Sequence, residues 1–465
     1  MKLSSLSLLA LAALLPDWAG AQLSGRVGPT TTRAAKAAKK TCKITDYGAK
    51  TGASGDIGAA LKSSWDACKA GGEVLIPAGE WGLGTWVTLS GGSGVSINLE
   101  GTIYRTGTTG GHMIIVQKST DVEFYSGNSK GAMQGYGYQF HKQGKGVYGP
   151  RLLRFVSVTD FSVHDIALVD SPAFHFVMDG VKNGEVYNMI VRGGNQGGLD
   201  GFNLMASTNV HVHDVAVTNK DECVTVKNKS NHILVENVFC NWSGGCGIGS
   251  LGADTGTLKR THTLRDHRRL TKAYAAISDI LYRNVYTSKS NQMLMIKNNG
   301  GDGVFQNSRF ENFIGHGNAY SLKIDSAWAG QSKVAGNGVE YKNLTFANWK
   351  GTAANGAQRG AVVALCAAAV PCENIDVSGI NIWTETGSSM VDKCENAFGK
   401  GHCLRSGSGK YTSTATTKTV AGYQATTMPG LVTAGLGITA SIPIPPLPTT
   451  FFPGQKPKSA LLGSS

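Results

Sequence analysis

The sequence predicts an all-β solenoid, a right-handed parallel β-helix, on three observations. A short unit, apolar–any–Asp/Asn/Gly–apolar, recurs through the middle of the chain. Its copies lie 23–36 residues apart with one exception. Between them run short β-favouring stretches broken by glycine, of which the chain holds 62 in 465 residues. A period in this range, made of strands and polar turns, marks a repeat whose units stack to bury one continuous core.

The copies are Val163-His164-Asp165-Ile166, Val186-Tyr187-Asn188-Met189, Val212-His213-Asp214-Val215 and Val235-Glu236-Asn237-Val238. Four more follow: Tyr282-Arg283-Asn284-Val285, Phe310-Glu311-Asn312-Phe313, Tyr341-Lys342-Asn343-Leu344 and Val377-Ser378-Gly379-Ile380. Successive offsets are 23, 26, 23, 47, 28, 31 and 36 residues. A leucine-rich repeat lacks its leucine framework here, and a propeller blade needs a longer period. The recurring Asn or Asp suits a turn in which its side chain bonds nearby backbone groups.

Residues 1–21 read as a secretory signal: Lys2, an apolar run from Leu6 to Leu15, then Ala19-Gly20-Ala21. Residues 22–40 are basic, polar and alanine-rich, which predicts a flexible arm. An amphipathic helix around 57–68 is expected to cap the solenoid, and the catalytic domain is drawn at 41–405. The offset of 47 contains a foreign segment, 257–276, with six basic residues, one acid and no β pattern. Its removal restores a normal offset, as a retained intron would explain; a long surface loop is the plainer alternative. Residues 406–465 form a Ser/Thr- and Pro-rich tail, flexible over 406–419. Its Ile442-Pro443-Ile444-Pro445-Pro446-Leu447-Pro448 is expected to be extended polyproline along the solenoid.

Nine cysteines fit an oxidising compartment. Their spacing suggests Cys42–Cys68, Cys223–Cys240, Cys366–Cys372 and Cys394–Cys403, leaving Cys246 as a thiol. Acceptor sequons at Asn228, Asn241 and Asn343 agree with secretion. The formal net charge of +13 points to an acidic partner. No nucleic-acid-binding motif is present, and no later run is long enough to span a membrane. An acidic polysaccharide fits better, bound by a secreted monomer.

The chemistry gathers at Asn219-Lys220-Asp221-Glu222-Cys223-Val224-Thr225-Val226-Lys227. Adjacent side chains in a flat strand point to opposite faces, so two acids serve one cleft only where the backbone bends. Gly197-Gly198-Leu199-Asp200-Gly201 offers a third carboxylate 21 residues before Asp221, close to one coil. Stacking would bring Asp200, Asp221 and Glu222 together. The following coils bring Ser243-Gly244-Gly245-Cys246-Gly247, a backbone able to approach a ligand, and Met295-Ile296-Lys297, a cation beside the acids. Such a groove has what glycoside hydrolysis needs. Calcium is the competing use of clustered acids.

These residues resemble the polygalacturonase-like glycoside hydrolases of family 28, with the pectin-lyase-like solenoid fold, and within them the fungal rhamnogalacturonan hydrolases. The resemblance runs from about Cys42 to the tail. The Asn-Thr-Asp of polygalacturonases matches Gly198-Leu199-Asp200, and their Asp-Asp matches Asp221-Glu222. Their Gly-His-Gly matches Gly245-Cys246-Gly247, and their Arg-Ile-Lys matches Met295-Ile296-Lys297. Asp-Glu in this context, with Cys for His, is the rhamnogalacturonan hydrolase form; Asn203 stands where these relatives imply a second Asp.

The resemblance implies an inverting endo-hydrolase of rhamnogalacturonan I that needs no cofactor or metal. Asp221 would be the general acid, Asp200 and Glu222 would hold and deprotonate water, and Lys297 would pair with a galacturonate. An acid-to-base separation of roughly 6.5–9.5 Å is then expected. Gly245 and Cys246 would approach the substrate. His316, in a second Gly-His-Gly, would reach the same groove, with Tyr320 and Lys323 extending the subsite. The alternatives are a polysaccharide lyase or polygalacturonase on the same fold, or a non-catalytic carbohydrate-binding solenoid.

Overall fold

The computed structural model describes residues 23–252, 274–354, 360–387, 389–417, 424 and 426–462. The expected signal at 1–21 and residues 257–273 of the expected insert lie outside them. Through the middle of the chain each coil is a long strand followed by a short one. Lys182–Arg192 precedes Phe202–Met205, Thr208–Thr218 precedes Glu222–Val226, and Asn231–Asn241 precedes Gly245–Leu251. Long strands pair with long and short with short, in parallel, so that Val186, Val212 and Val235 lie in one column. Among the described residues the one antiparallel strand pair joins Met390–Glu395 to Thr412–Thr417. The fold is the parallel β-helix that the repeat predicts, with 27 strands in one continuous sheet among the described residues.

Apolar side chains fill the solenoid as ladders. Phe155, Phe176 and Phe202 meet edge to face, with ring centroids 5.4 and 6.4 Å apart. Phe310 stacks on Phe346 at 5.1 Å and Phe313 on Trp349 at 4.3 Å. Each such ring buries 150–250 Å² and adds a preferred geometry to its burial.

The bends are made by residues with left-handed backbone. Asp165, Asn188, Asp214, Asn237, Asn284 and Asn312 form one column with φ of 48–58°. Asn and Asp tolerate this region better than other side chains. Each amide reaches its neighbour on the preceding rung: Asn237 Nδ2 donates to Asp214 Oδ1 at 3.0 Å, and Asn284 Nδ2 to Asn237 Oδ1 at 3.1 Å. The next member is Asn348, because Glu311 pairs with Ala347 and Phe313 with Trp349. The sequence repeat placed Asn343 there. Asn343 instead belongs to a second column, bonded to Asn307 at 3.0 Å and Asn374 at 2.8 Å. Both columns read alike in sequence, since each is a left-handed residue between inward apolar ones.

The helix Gly58–Cys68 buries Leu61, Trp65 and Cys68 over the first coil, as a cap. The four disulfides join the pairs that the spacing suggests, and Cys246 is a buried thiol.

Several expectations are corrected. Residues 23–40 are not a free arm but lie against the solenoid, because its flank is acidic. Thr30 N and Thr31 N donate to Asp121 Oδ1 at 2.9 and 3.1 Å. The helix Arg33–Lys39 then buries Lys36, whose ammonium is 3.3 Å from Asp121. In the tail, Thr412–Thr417 is a strand, and Ile442, Phe451 and Phe452 are buried against the solenoid. Tyr274, Ala275 and Ala276, assigned to the insert, pair with Asp302, Gly303 and Val304 as part of the strand Tyr274–Ser288. Two sequons are closed: Asn241 is buried beneath the tail, accepting from Val432 N at 2.6 Å, and Asn228 is buried and donates to Tyr274 O at 2.8 Å. Asn343 is exposed.

The docking of the arm is testable. Breaking a buried ion pair from one side costs about 3–5 kcal/mol. Asp121→Ala should release residues 23–40, and limited trypsinolysis should then cut at Arg33 and Lys36 while the rest of the chain resists. Cleavage as slow as in the wild type would show that the arm is held by other contacts.

Candidate active site

The acids sit where a long strand turns into a short one. Phe202 pairs with Val224. Continuing that register back two residues sets Asp200 beside Glu222, and Gly201 N donates to Glu222 O at 2.8 Å. Glu222, not Asp221, therefore stacks on Asp200. The bend expected between the two adjacent acids and their strand is a β-bulge: Glu222 pairs with Gly245 but Thr225 with Gly247. A bulge re-aims side chains in this way. Here it lets Glu222 face the groove while Cys223 and Val224 both enter the core.

Asp221 folds back across the turn. Its Oδ2 accepts from Gly198 N and its Oδ1 from Glu222 N, the latter at 2.9 Å. Gly198 has φ of 79°, and a side chain there would strike the hydroxyl of Tyr148, which donates to Gly197 O at 2.9 Å. Gly198 is thus required both by the loop's conformation and by the tyrosine. On its other side, buried His175 bonds through Nδ1 to the carbonyls of Leu199 and Asp200 at 3.1 and 3.2 Å, bracing the loop.

One oxygen from each of Asp200, Asp221 and Glu222 lies within 4.8 Å of the others. This is closer than the roughly 6.5–9.5 Å expected for an acid–base pair. The side chains converge, because two of them stack on adjacent rungs and the third is pulled back by backbone donors. Two ammonium groups balance them. Lys297 Nζ donates to Glu222 Oε1, and Lys227 Nζ is 3.6 Å from Asp200 Oδ2. Each lysine also lies over an aromatic ring: Lys297 at 4.1 Å from the Trp328 centroid, Lys227 at 5.9 Å from that of Phe174.

These surroundings separate the three acids. Burial, then the charges of Glu222 and Asp200, push the Asp221 carboxyl well above the usual range. Burial and Glu222 also raise Asp200, to about 6. Burial acts against Glu222 too, but Lys297 and the other donors overcome it and hold Glu222 down at about 2. The arrangement therefore keeps one carboxyl protonated beside one firmly ionised carboxylate, the condition for general acid and base in one site.

The remaining expected residues divide. Lys297 is in the cluster, bound to Glu222. Lys323 follows one rung later, paired with Met295, 5.0 Å from the Tyr320 ring centroid and 3.3 Å from Asp325. Cys246 is corrected: its side chain points into the core, in the alternation that sets Gly247 toward the groove. Gly245 pairs with Glu222 and is packed against Gln292 O, which a Cβ would meet at 1.8 Å. The glycine that matters to the acids is Gly247, where a Cβ would sit 3.0 Å from Glu222 Cγ. His316 is not brought into contact with the triad; its ion-pair partner among the described residues is Glu385, 3.9 Å away.

Sequence reasoning missed Tyr148, Phe174, His175, Lys227 and Trp328. Lys227 was discoverable, as Val224 and Val226 alternate inward and leave Thr225 and Lys227 facing out. Asn203 is buried beside Asp200, yet neither amide atom makes a hydrogen bond of normal geometry.

Residues 69–404 match the model of glycosyl hydrolases family 28. The chain belongs to this family. It is a glycoside hydrolase. Among its relatives, rhamnogalacturonase A of Emericella nidulans is 54% identical over 455 residues, covering 97% of this chain and 85% of that protein. Rhamnogalacturonase A of Aspergillus aculeatus is 53% identical over 463 residues, covering 99% of this chain and all of that one. Two solved structures share the fold at low identity. They are endo-xylogalacturonan hydrolase from Aspergillus tubingensis (TM-score 0.64, 20% identity, 75% of this chain and 94% of that) and polygalacturonase from Erwinia carotovora (0.56, 17%, 78% and 97%).

Two predictions follow from the electrostatics of this family 28 site. A carboxyl with a raised pKa in the folded state binds its proton more tightly there than when unfolded. Stability is then greatest at low pH and falls as pH rises above the unfolded value of 3.8. Asp221→Asn should match the wild type in chemical denaturation below that pH and exceed it increasingly at neutral pH. A variant no more stable at pH 7 would contradict the raised pKa. In Lys297→Met, Glu222 loses the cation that keeps it ionised. The acid limb of the pH profile of kcat/KM should move up, whereas an unmoved limb would show that Lys297 does not set the charge of Glu222.

Proposed function

We propose that this chain is a secreted endo-hydrolase that cuts the galacturonic acid–rhamnose α-1,2 linkages of rhamnogalacturonan I with inversion. The observation that carries the reading is the split triad, Asp221 held by backbone N–H groups against Glu222 held by the Lys297 ammonium, in a chain similar over nearly its whole length to proteins named rhamnogalacturonases. Asp221 gives its proton to the rhamnose oxygen as the bond from that oxygen to the galacturonate anomeric carbon breaks. Glu222 and Asp200, stacked on adjacent rungs, take a proton from the water whose oxygen bonds to the same carbon from the opposite face. The product is a β-configured reducing end. Lys297 holds Glu222 charged, and with Lys227 it offers positive potential to an acidic polymer. Four disulfides support an extracellular location, and no helix among the described residues is long and apolar enough to cross a membrane.

Reducing-end release from rhamnogalacturonan should exceed that from homogalacturonan, with Asp221→Asn lowering it by about 10²–10⁴-fold. Proton NMR of the fresh product should show the β-anomer first. Release from homogalacturonan alone would make the enzyme a polygalacturonase. An ultraviolet-absorbing double bond would make it a lyase, and an initial α-anomer would turn one carboxylate into a nucleophile.

A further inference from the structure

The groove floor continues past the triad toward the earlier coils. The Phe174 ring that receives Lys227 also receives Arg151, whose guanidinium carbon is 5.1 Å from the centroid. Arg151 opens the strand Arg151–His164, two rungs before the strand that follows Asp200: Leu153 pairs with Phe176, and Phe176 with Phe202. A continuous row results, Arg151–Phe174–Lys227–Asp200, joined by distances of 5.1, 5.9 and 3.6 Å. On the other side of the triad lies the shorter row Glu222–Lys297–Trp328.

Arg151 differs from the other cations of this floor. Lys297 and Lys227 are paired with the triad, and Arg154 is neutralised by Asp179 at 2.5 Å. Arg151 is half-buried, and no ion pair joins it to an acid among the described residues. A guanidinium held on an aromatic face and left without a carboxylate is preorganised for one, since its planar fork binds carboxylates with two parallel hydrogen bonds.

We propose that Arg151, seated on Phe174, binds the carboxylate of a second galacturonate in the same polysaccharide chain. The inference rests on the rhamnogalacturonan reading. In a strictly alternating polymer the acid recurs at every second sugar. Rungs are spaced by roughly 4.8 Å, about the length of a hexose ring, so a cation two rungs along the groove meets the next acid and not the neutral sugar between. Phe174 fixes the guanidinium in place and so lowers the entropy lost on binding.

The test separates charge recognition from packing. Rhamnogalacturonan oligosaccharides, native and carboxyl-reduced, are titrated calorimetrically into Asp221→Asn protein carrying Arg151 or Arg151→Gln. A charge-assisted hydrogen bond is worth about 1.5–3 kcal/mol, so Arg151→Gln should weaken binding of the native ligand about tenfold or more. Binding of the carboxyl-reduced ligand should change by less than twofold. Arg151→Lys, which keeps the charge and the aliphatic stem, should recover part of the loss and guards against a folding defect in the glutamine variant. Equal losses on both ligands, or none on the native one, would overturn the proposal while leaving the functional reading intact. If wild-type protein does not cut rhamnogalacturonan at all, the functional reading falls and this subsite falls with it.

Discussion

Rung-to-rung register is the constraint on which everything else in this molecule depends. A strand that slipped by one residue would turn its apolar set outward and its polar set into the core. Two columns of left-handed Asn and Asp residues guard against this. Bonds between equivalent residues on neighbouring coils link Asp214, Asn237, Asn284 and Asn312 in one column and Asn307, Asn343 and Asn374 in the other, so a slip would break a chain of side-chain hydrogen bonds as well as bury charge. The triad is a by-product of that register. Asp200 and Glu222 meet because Phe202 meets Val224, and Asp221 joins them because the backbone N–H groups of Gly198 and Glu222 hold its carboxyl group across the turn.

Placing three acids so close would be self-defeating if they had equal environments, since burial alone would neutralise all of them. The site breaks the symmetry with neighbours. Glu222 takes the direct ammonium contact, Asp200 shares a more distant one, and Asp221 receives only backbone and like-charged neighbours. The cations themselves are steadied by aromatic faces, which shield them without supplying a competing anion. Acid and base assignments thus come from which lysine reaches which carboxylate.

Much of this was legible in the sequence, for identifiable reasons. The solenoid followed from a repeat whose flanking apolar residues must face inward. The acids followed from their spacing of about one coil, and the bend from the impossibility of two adjacent side chains sharing a face. What failed was whatever depends on exact parity or distant chain. Cys246 was placed in the groove because its motif resembled a catalytic one, but local alternation turns it into the core. Asn343 was put in the wrong column because the two corners share a pattern. Phe174, Trp328 and Tyr148 stand far in sequence from the acids and carry no motif. The arm looked mobile because its basic composition hid the acidic flank it docks on.

The two corner columns also explain how this chain tolerates change. Asn237 and Asn284 are direct neighbours across a rung although much additional sequence separates them, and the strand Asn231–Asn241 pairs with Tyr274–Ser288 without interruption. The extra length here falls between the end of one short strand, Gly245–Leu251, and the start of the next long one, Tyr274–Ser288, and elsewhere between a long strand and its short partner, as from Arg192 to Phe202. It does not propagate into the stacking on either side. Such a molecule can acquire or lose segments at its margins over evolutionary time while its catalytic row keeps its geometry. Novelty arrives as an appendix, not as a rewrite.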